Sequence, residues 1–296
     1  LESIENDTFF GKQKKVQLDI GAHVLPHFVK DTTDRNRTSP FAFTGNKFEF
    51  RMLGSAASVA NPNVVLNTAV AEALAQFYTE LEGTKPEAVH ELIKRAIRKH
   101  KKVIFNGNGY TDEWVAEAEK RGLYNLPSTP DCLPQLLADK NVELFTKHHV
   151  FTKEELASRY EIKLENYVKT IGIEARTLAE MITKDFLPAV STYAAEVSKN
   201  AAAKKSFMAT ADTASEEALV EKLSTAYTAL TAEVTELKTL IDTSFALEDT
   251  QKCAEAFHDQ VLAKMEDIRT IASDIEALIP DSILSYPTYD QLLFSL

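Results

Sequence analysis

The sequence predicts a mainly α-helical protein with a small β part, and three observations lead to this fold class. All nine glycines of the 296 residues lie at or before Gly172, and neither glycine nor proline occurs between Pro188 and Pro280. That same stretch is rich in Ala, Leu, Glu, Lys and Thr, which favour long helices. An alternation of aromatic and charged residues, typical of a strand, occurs in a short segment near residue 50.

Length, charge and cysteine content limit the kinds of protein that this chain can be. A chain of 296 residues allows one large or two ordinary domains. The formal charge of −11 argues against nonspecific binding to nucleic acid. No apolar run approaches the roughly 20 residues that span a bilayer, and no secretory leader is expected, so we expect no membrane partner and a cytoplasmic location. Cys132 and Cys253 lie far apart, which favours a reducing compartment over a disulfide scaffold.

A charged segment from Asp34 to Arg51 is the most informative part of the sequence. It reads Asp-Arg-Asn-Arg-Thr-Ser-Pro-Phe-Ala-Phe-Thr-Gly-Asn-Lys-Phe-Glu-Phe-Arg. Arginine suits planar, bidentate contacts to phosphate or carboxylate groups. A glutamate beside arginines also suits a divalent metal next to phosphate, because hard cations take oxygen ligands. The segment therefore indicates a site for charged groups.

Alternation within this segment predicts what each face of its strand does. Phe48 and Phe50 share one face. The other face carries Lys47, Glu49 and Arg51. We expect the aromatic rings to pack into a core while the ionisable groups line a cavity. The competing interpretation is a solvated edge strand with a few ion pairs, since an isolated motif of this kind is weak support for a site.

This segment resembles the C-terminal part of the glutamine synthetase catalytic domain, and more narrowly that of the large type III enzymes. The family pattern is an Asn-Arg-Ser/Thr motif, a short loop, a strand with Glu-x-Arg, and an Asn-Pro that opens a helix. The matching residues here are Asn36-Arg37-Thr38, Phe48-Glu49-Phe50-Arg51 and Asn61-Pro62. The match is strongest over residues 30 to 75, and the later helices resemble the type III C-terminal extension.

The resemblance implies a role for each charged residue. Arg37 and Arg51 would be catalytic: the first on the nucleotide phosphates and the transferring phosphoryl group, the second on the substrate glutamate and γ-glutamyl phosphate. Glu49 would be a ligand of Mg²⁺ or Mn²⁺. Lys47 would face ATP, and Arg35 is a further candidate for binding substrate or nucleotide. The loop between Arg37 and Glu49 is shorter than in bacterial type I enzymes, so a basic contact carried there has no assigned counterpart.

The resemblance also implies an activity, the ATP-dependent ligation of ammonia to L-glutamate through a γ-glutamyl phosphate. Phosphoryl transfer depends mainly on positioning and on neutralising negative charge, which arginines can provide. The family carries its other metal ligands and its ammonia-site acids upstream of this segment. We therefore expect the chain to be the C-terminal portion of a longer enzyme, inactive alone, and the family implies a ring-forming homo-oligomer, a dodecamer.

Two other functions stay open at this point. One is a non-catalytic helical module for interaction or oligomerisation, since no catalytic constellation follows residue 80 or so. The other is an unrelated phosphotransferase, which would need a nucleotide-binding loop of its own. The glycine-rich stretch from Asn106 to Gly109 lacks the Gly-Lys-Ser/Thr ending of such a loop, so we interpret it as a turn before a helix capped by Thr111.

The resemblance and the helical pattern together predict three parts. Residues 1–80 would be the C-terminal part of the catalytic domain, with its final strands and helix. Residues 81–200 would be the helical extension. Residues 201–296 would form a long antiparallel helical hairpin with a docked C-terminal tail.

The first helix of the extension is predicted from Pro86 to about His100. The residues predicted to face inward are Val89, Leu92, Ile93, Ala96 and Ile97. The basic residues predicted on the outer side are Lys94, Arg95, Arg98, Lys99, Lys101 and Lys102. Such a stripe is usually a solvated face, and the alternative is contact with an acidic surface of a neighbouring subunit.

Later helix starts and polar pairs are predicted from local motifs. Ser128 or Thr129 is a candidate cap, and Thr152 with Glu155 forms a capping box. Glu161, Glu165 and Lys169 are spaced as i,i+4 pairs. His148-His149 suggests a metal pair, but adjacent histidines point apart and no cysteine or third histidine is near, so a metal site is disfavoured.

Two apolar stripes predict the hairpin. Their members are Leu219, Leu223, Ala226, Leu230, Val234, Leu237 and Ile241 in the first, and Val261, Met265, Ile268, Ala272, Ile275 and Ile279 in the second. The alternative interpretation is a free coiled coil. Because each stripe lasts only about three heptads, packing within a domain is favoured. Residues 200–215 are small and polar and predict a linker. The apolar tail from Pro280 to Leu296 is predicted to dock on its own helices or on another subunit.

Overall fold

The computed structural model describes residues 1–8, 17–18, 28–29, 41–43, 48–51, 54, 57–105 and 107–294. Within these residues the protein is mainly helical with short strands, as the sequence predicts. It forms two compact units. The first unit comprises residues 1–126 and 139–152, and the second comprises residues 127–138 and 153–296. The three-part functional division at residues 80 and 200 stays a prediction.

The elements follow in chain order. The strands are β1 (Gln17–Leu18), β2 (Phe28–Val29), β3 (Phe41–Phe43) and β4 (Phe48–Phe50). The helices are α1 (Glu2–Glu5), α2 (Ala60–Leu81), α3 (Glu87–His100), α4 (Asp112–Lys120), α5 (Thr129–Cys132), α6 (Asp139–Lys147), α7 (Lys153–Met181), α8 (Leu187–Phe207), α9 (Ala214–Phe245), α10 (Thr250–Ala256), α11 (Ala263–Glu276) and α12 (Tyr289–Leu293). Short 3₁₀ segments are Lys101–Val103, Leu133–Leu137 and Asp281–Ile283, and π-helical turns are Ile182–Phe186 and Phe257–Leu262.

The strands of the first unit form two small antiparallel ribbons, β1 with β2 and β3 with β4. In the second ribbon Ala42 lies opposite Glu49. Helix α2 then begins at Ala60, so that Pro62 falls in the first turn, where its missing N–H leaves no helical bond unmade. The Asn-Pro pair thus opens a helix, as the sequence predicts.

Helix α3 has the predicted bounds, but its faces differ from the prediction. Leu92 is buried, whereas Val89 and Ile93 are exposed. Lys94, predicted on the outer face, is buried instead. Its ammonium binds the carboxylate of Asp7, which α1 brings alongside. An ion pair thus offsets the desolvation of the lysine, and helical periodicity alone cannot anticipate it because its partner lies far away in sequence.

Helix starts in both units lie next to the predicted local signals. Thr111 occupies the N-cap position of α4 without a side-chain capping hydrogen bond, whereas Ser128 forms a capping box with Asp131 at the start of α5. Helix α7 begins at Lys153, directly after Thr152. On α7 the ammonium of Lys169 lies 2.8 Å from Glu165, which confirms one of the predicted i,i+4 pairs. Gly83 and Gly122, which have positive φ, lie just past a helix end.

Long helices around one apolar core make up the second unit. Both predicted stripes are buried or partly buried in it. The most enclosed members of this core include Leu164, Phe186, Val190, Leu223, Leu230, Leu237, Phe257, Val261 and Ile268. Lys264 of α11 lies 2.6 Å from Glu233 and 2.8 Å from Glu236 of α9, beside the second stripe.

Two π-helical turns interrupt the long helices, and the sequence does not predict them. The first, Ile182–Phe186, joins α7 to α8 directly before Pro188. Within a regular α-helix the proline ring would clash with the carbonyl of Lys184 four residues back. A wider turn relieves that contact, so the chain continues as a helix past Pro188 where a break would otherwise be expected.

The predicted linker and tail differ from the sequence prediction in their extent. Helix α8 continues to Phe207 and α9 begins at Ala214, so residues 200–207 are helical and the connection is only 208–213. The start of the tail docks on its own helices, as predicted: Ile283, Leu284 and Tyr286 pack against the core. The hydroxyl of Ser285 donates to Asp185 at 2.8 Å. Beyond this point the side chains of α12 and Phe294 are largely exposed.

Candidate functional site

Strand β4 brings two of the predicted site residues together. Glu49 and Arg51 lie two positions apart and therefore project from the same face. Arg51 donates from Nη2 and Nε to Oε2 of Glu49, at 3.0 Å and 3.2 Å. The arginine side chain is 16% exposed and the glutamate 37% exposed. The strand therefore holds one fixed cation and one fixed anion side by side at a partly buried position.

The aromatic face of β4 does not behave as predicted. Phe48 is 64% exposed and Phe50 is 45% exposed, so the expectation that both pack into a core is wrong for this chain. The physical reason is that this ribbon has two strands within the described part of the chain, and a two-stranded ribbon has too little surface to cover its own apolar face.

Three other predicted site residues, Arg35, Arg37 and Lys47, lie outside the described residues. Glu49, the one metal ligand predicted in this chain, is described. In the described ranges no group of three or more histidine, cysteine, aspartate or glutamate side chains is arranged to hold a metal ion. A magnesium site normally needs several oxygen ligands. The described residues therefore do not by themselves complete a site for Mg²⁺ or Mn²⁺.

A second polar cluster, which the sequence does not predict, surrounds Glu72 of α2. Its Oε1 accepts hydrogen bonds from Lys147 at 2.8 Å and from Gln76 at 2.7 Å. Its Oε2 lies 2.7 Å from Nε2 of His148. These partners, Lys147 first, lower the pKa of Glu72 to about 2. The cluster ties the end of α6 to α2, and His148 serves there as a carboxylate partner.

The end of α6 explains the second histidine of the pair. His149 has a φ of 53°. Its N–H donates to Thr146 O at 3.1 Å, and that of Val150 donates to Phe145 O at 3.0 Å. These two bonds form a Schellman motif, with His149 at the position where glycine is usual. The histidine thus terminates a helix.

The described residues show a turn around Asn108 and no helix suited to span a membrane. Around Asn108 the chain makes a turn in which the side-chain oxygen accepts from the N–H of Tyr110 at 3.1 Å, as the sequence analysis expects of this stretch. Over the part of the chain that the structure describes, none of the helices has the length and apolar character needed to cross a bilayer.

Comparison with known proteins points to one family. Residues 88–205 match the family described as the glutamine synthetase C-terminal domain. A glutamine synthetase of Butyrivibrio fibrisolvens is 44% identical over 91% of this chain and 39% of its own length. A type-3 glutamine synthetase of Dictyostelium discoideum is 33% identical over 99% of this chain and 41% of its own length.

A glutamine synthetase of Bacteroides fragilis (strain YCH46) is also similar, with 31% identity over 96% of this chain and 40% of its own length. The chain thus spans about two fifths of the length of the curated relatives it matches. The resemblance first noted in the charged segment extends over nearly the whole sequence. The chain therefore belongs to the glutamine synthetase family, with a type-3 enzyme among its relatives.

Proposed function

We propose that this chain is the C-terminal portion of a type III glutamine synthetase. The enzyme would ligate ammonia to L-glutamate with ATP, through a γ-glutamyl phosphate. The observation that carries the proposal is the match of the whole sequence to glutamine synthetases, joined to a strand that holds Glu49 and Arg51 on one face. An Asn-Pro helix start follows that strand, in the order that the family pattern requires.

Each predicted site residue has a proposed role in this reaction. Arg51 would hold the carboxylate of glutamate and the acyl phosphate, because a guanidinium fork matches both groups. Arg37 would neutralise charge on the transferring phosphoryl group. Lys47 and Arg35 would contact the nucleotide. The bond between Arg51 and Glu49 supports these roles by fixing the direction of both side chains before substrate arrives.

A divalent ion, Mg²⁺ or Mn²⁺, would screen the phosphate oxygens when bound. Glu49 would supply one oxygen ligand to that ion from this chain. Its remaining ligands would come from the part of the enzyme that the relatives carry outside the matched segment, since the described residues contain no group of three or more histidine, cysteine, aspartate or glutamate side chains that could hold a metal ion. This dependence is why we propose that the 296-residue chain is inactive by itself.

The helical part would serve assembly. We propose a ring-forming homo-oligomer, a dodecamer, in the cytoplasm, with neither nucleic acid nor membrane as a partner. The finer fold of residues 201–296 belongs to this proposal: α9 and the run from α10 to α11 would form an antiparallel hairpin. Two contacts support that direction, because Lys264 lies beside Glu233 while Ile271, further along, lines a groove with Ala226 and Ala229.

A non-catalytic helical module remains the second candidate function. The architecture of the second unit favours this function, because the unit consists of long helices around an apolar core. The two functions are compatible, because the strand could act in catalysis while the helices act in assembly. The two functions predict different outcomes when Glu49 or Arg51 is changed. If the strand is purely structural, either change would impair assembly. If the strand is catalytic, either change would impair glutamine formation.

The proposal is tested with a chimaera in which this chain replaces the matching segment of the Butyrivibrio fibrisolvens relative. We expect the chimaera to form glutamine from glutamate, ammonia and ATP, and the isolated chain to form none, as measured by coupled ADP release with glutamine detected directly. Glutamine formation by the isolated chain would contradict the proposed dependence. A folded chimaera without activity would contradict the proposed function.

A further inference from the structure

Helix α2 carries an exposed apolar face. Val70, Leu74 and Tyr78 follow one another at steps of four and therefore lie along one side of the helix. They are 56%, 61% and 68% exposed. Along the whole of α2 the structure classes a single residue, Thr68, as buried.

Helix α2 carries little charge for an exposed helix. Of its 22 residues only Glu72 and Glu80 are charged. The solvent-facing side of a surface helix is normally charged or polar, and a contiguous exposed apolar stripe normally marks an interaction surface. The helices of the second unit follow the usual rule, because their buried stripes are opposed by charged faces.

The opposite side of α2 already has its partner. Glu72 and Thr68 lie there, and Glu72 is bound by Lys147 and His148 of the α6 end. On a helical wheel, Val70 and Leu74 point well away from Thr68. A cover for the exposed stripe must therefore come from elements other than α6.

We infer that the stripe formed by Val70, Leu74 and Tyr78 is an interface for the part of the synthetase that the relatives carry outside the matched segment. This inference rests on the proposed function, and it names the partner of α2, the helix that follows β4. Two observations select this occupant. About three fifths of each relative's length lies outside the match, which is ample chain to cover one helix. In sequence the stripe also begins within 20 residues of Arg51, and it follows a ribbon whose Phe48 and Phe50 are exposed in the same way.

The competing occupant is a second copy of this chain. A stripe that pairs with itself would make the isolated chain dimerise through α2, and protection of the stripe would then rise with concentration. A third possibility is that another part of the same chain covers the stripe, which would protect it at any dilution. Both possibilities differ from the inference in the behaviour of the isolated chain.

The test measures maleimide labelling of single cysteines. Leu74→Cys and Tyr78→Cys are each placed in a Cys132→Ser background, with buried Cys253 as the slow reference. Phe207→Cys is the matched control, because Phe207 is 96% exposed and lies in the second unit. Each variant is labelled in the isolated chain at two concentrations and in the chimaera with the Butyrivibrio fibrisolvens relative. If the chimaera does not fold, the isolated chain is mixed with the separately expressed remainder of that relative.

We expect Leu74→Cys and Tyr78→Cys to react at least about tenfold more slowly in the chimaera than in the isolated chain. The labelling rate of Phe207→Cys, relative to that of a free thiol, should be the same in both proteins. Equal rates in both proteins would overturn the inference. So would slow labelling in the isolated chain, whether it depends on concentration or not. A chimaera that forms glutamine while the stripe labels freely refutes this interface alone, whereas protection without glutamine formation refutes the proposed function alone.

Discussion

At the scale of single residues, two helices of this chain end in the same way with different residues. Gly122 follows α4 at a φ of 69°, and His149 follows α6 at 53°. In both places the two Schellman hydrogen bonds are formed. Glycine adopts this left-handed backbone without strain, whereas a side chain with a Cβ pays a steric penalty there.

Replacing His149 by glycine is therefore expected to stabilise the first unit. We expect His149→Gly to raise the free energy of unfolding by about 0.5–1 kcal/mol, because it removes the left-handed penalty. The matched change Gly122→Ala should lower it by about 1 kcal/mol. Urea titrations followed by circular dichroism measure both. Stabilisation by His149→Val, or none by His149→Gly, would contradict the argument.

Glu72 predicts an acid-sensitive contribution to stability. Its pKa is lowered from 4.5 to about 2 in the folded chain, chiefly by Lys147. A lowered pKa means that its contribution is fully present above about pH 4.5 and is lost as pH falls toward 2. Melting temperatures of wild type and Glu72→Gln should hence differ most above pH 4.5, and the difference should shrink progressively as the pH falls from 4.5 toward 2.

The control for this prediction is Glu165→Gln, which breaks an exposed pair with Lys169 on one helix. It should change the melting temperature little at any pH. A Glu72→Gln difference that stays constant from pH 7 to pH 2.5 would show that the ionised carboxylate is not what stabilises the α2–α6 contact.

The sequence alone predicts the orientation of some of these side chains. Glu49 and Arg51 share a face because strands alternate, a local rule that needs no knowledge of the rest of the fold. Lys94 and Glu72 are different, since their partners lie about 75 to 87 residues away. Long-range ion pairs leave no local pattern, and for that reason periodicity predicts a solvated Lys94 and gives no indication of the carboxylate that His148 meets.

At the scale of elements, local sequence signals predict where the helices lie. The same signals do not predict how one helix is joined to the next. Helix α3 and both long stripes fall where capping and periodicity predict. The π-helical turns are not predicted by capping or periodicity, although the first of them accommodates the ring of Pro188. The second of these turns holds Phe257, whose ring meets that of Phe245 edge-on at 4.8 Å.

Phe257 is predicted to be a major source of stability in the second unit. It is fully enclosed, so Phe257→Ala should lower the free energy of unfolding by about 3–5 kcal/mol through lost burial and the cavity that remains. Phe245→Ala serves as the control, because Phe245 is 38% exposed and should cost clearly less. Equal losses for the two changes in denaturant titrations would contradict the assigned core.

At the scale of the whole molecule, the C-terminal tail divides into a docked and an exposed part. Burial raises the pKa of Tyr286 to about 12, in agreement with its packing against the core. The side chains of Leu292, Leu293 and Phe294 are instead more than half exposed. The sequence predicts docking from apolar content alone, and apolar content does not show where docking stops.

Two truncations test this division. Removing residues 288–296 should change the melting temperature by no more than about 1 °C, because the side chains described from Tyr289 to Phe294 are exposed. Removing residues 281–296 should lower it by about 5–10 °C, because Ile283, Leu284 and Tyr286 lose their packing. Scanning calorimetry distinguishes the two, and an equal effect of both deletions would contradict the division.

The family assignment also belongs to this scale, since it comes from similarity along nearly the entire chain. What it leaves to be tested is whether β4 is a wall of the active site. The most direct measurement is the kcat/KM for glutamate of the chimaera carrying Arg51→Lys, with Arg95→Lys as control, since each of these arginines pairs with a glutamate. Lysine keeps the charge and loses the bidentate fork.

We predict a fall of about 10²- to 10³-fold for Arg51→Lys, with the sedimentation coefficient unchanged and Arg95→Lys close to wild type. Full activity in Arg51→Lys, or loss of assembly in place of activity, would contradict the assignment of this strand to the active site.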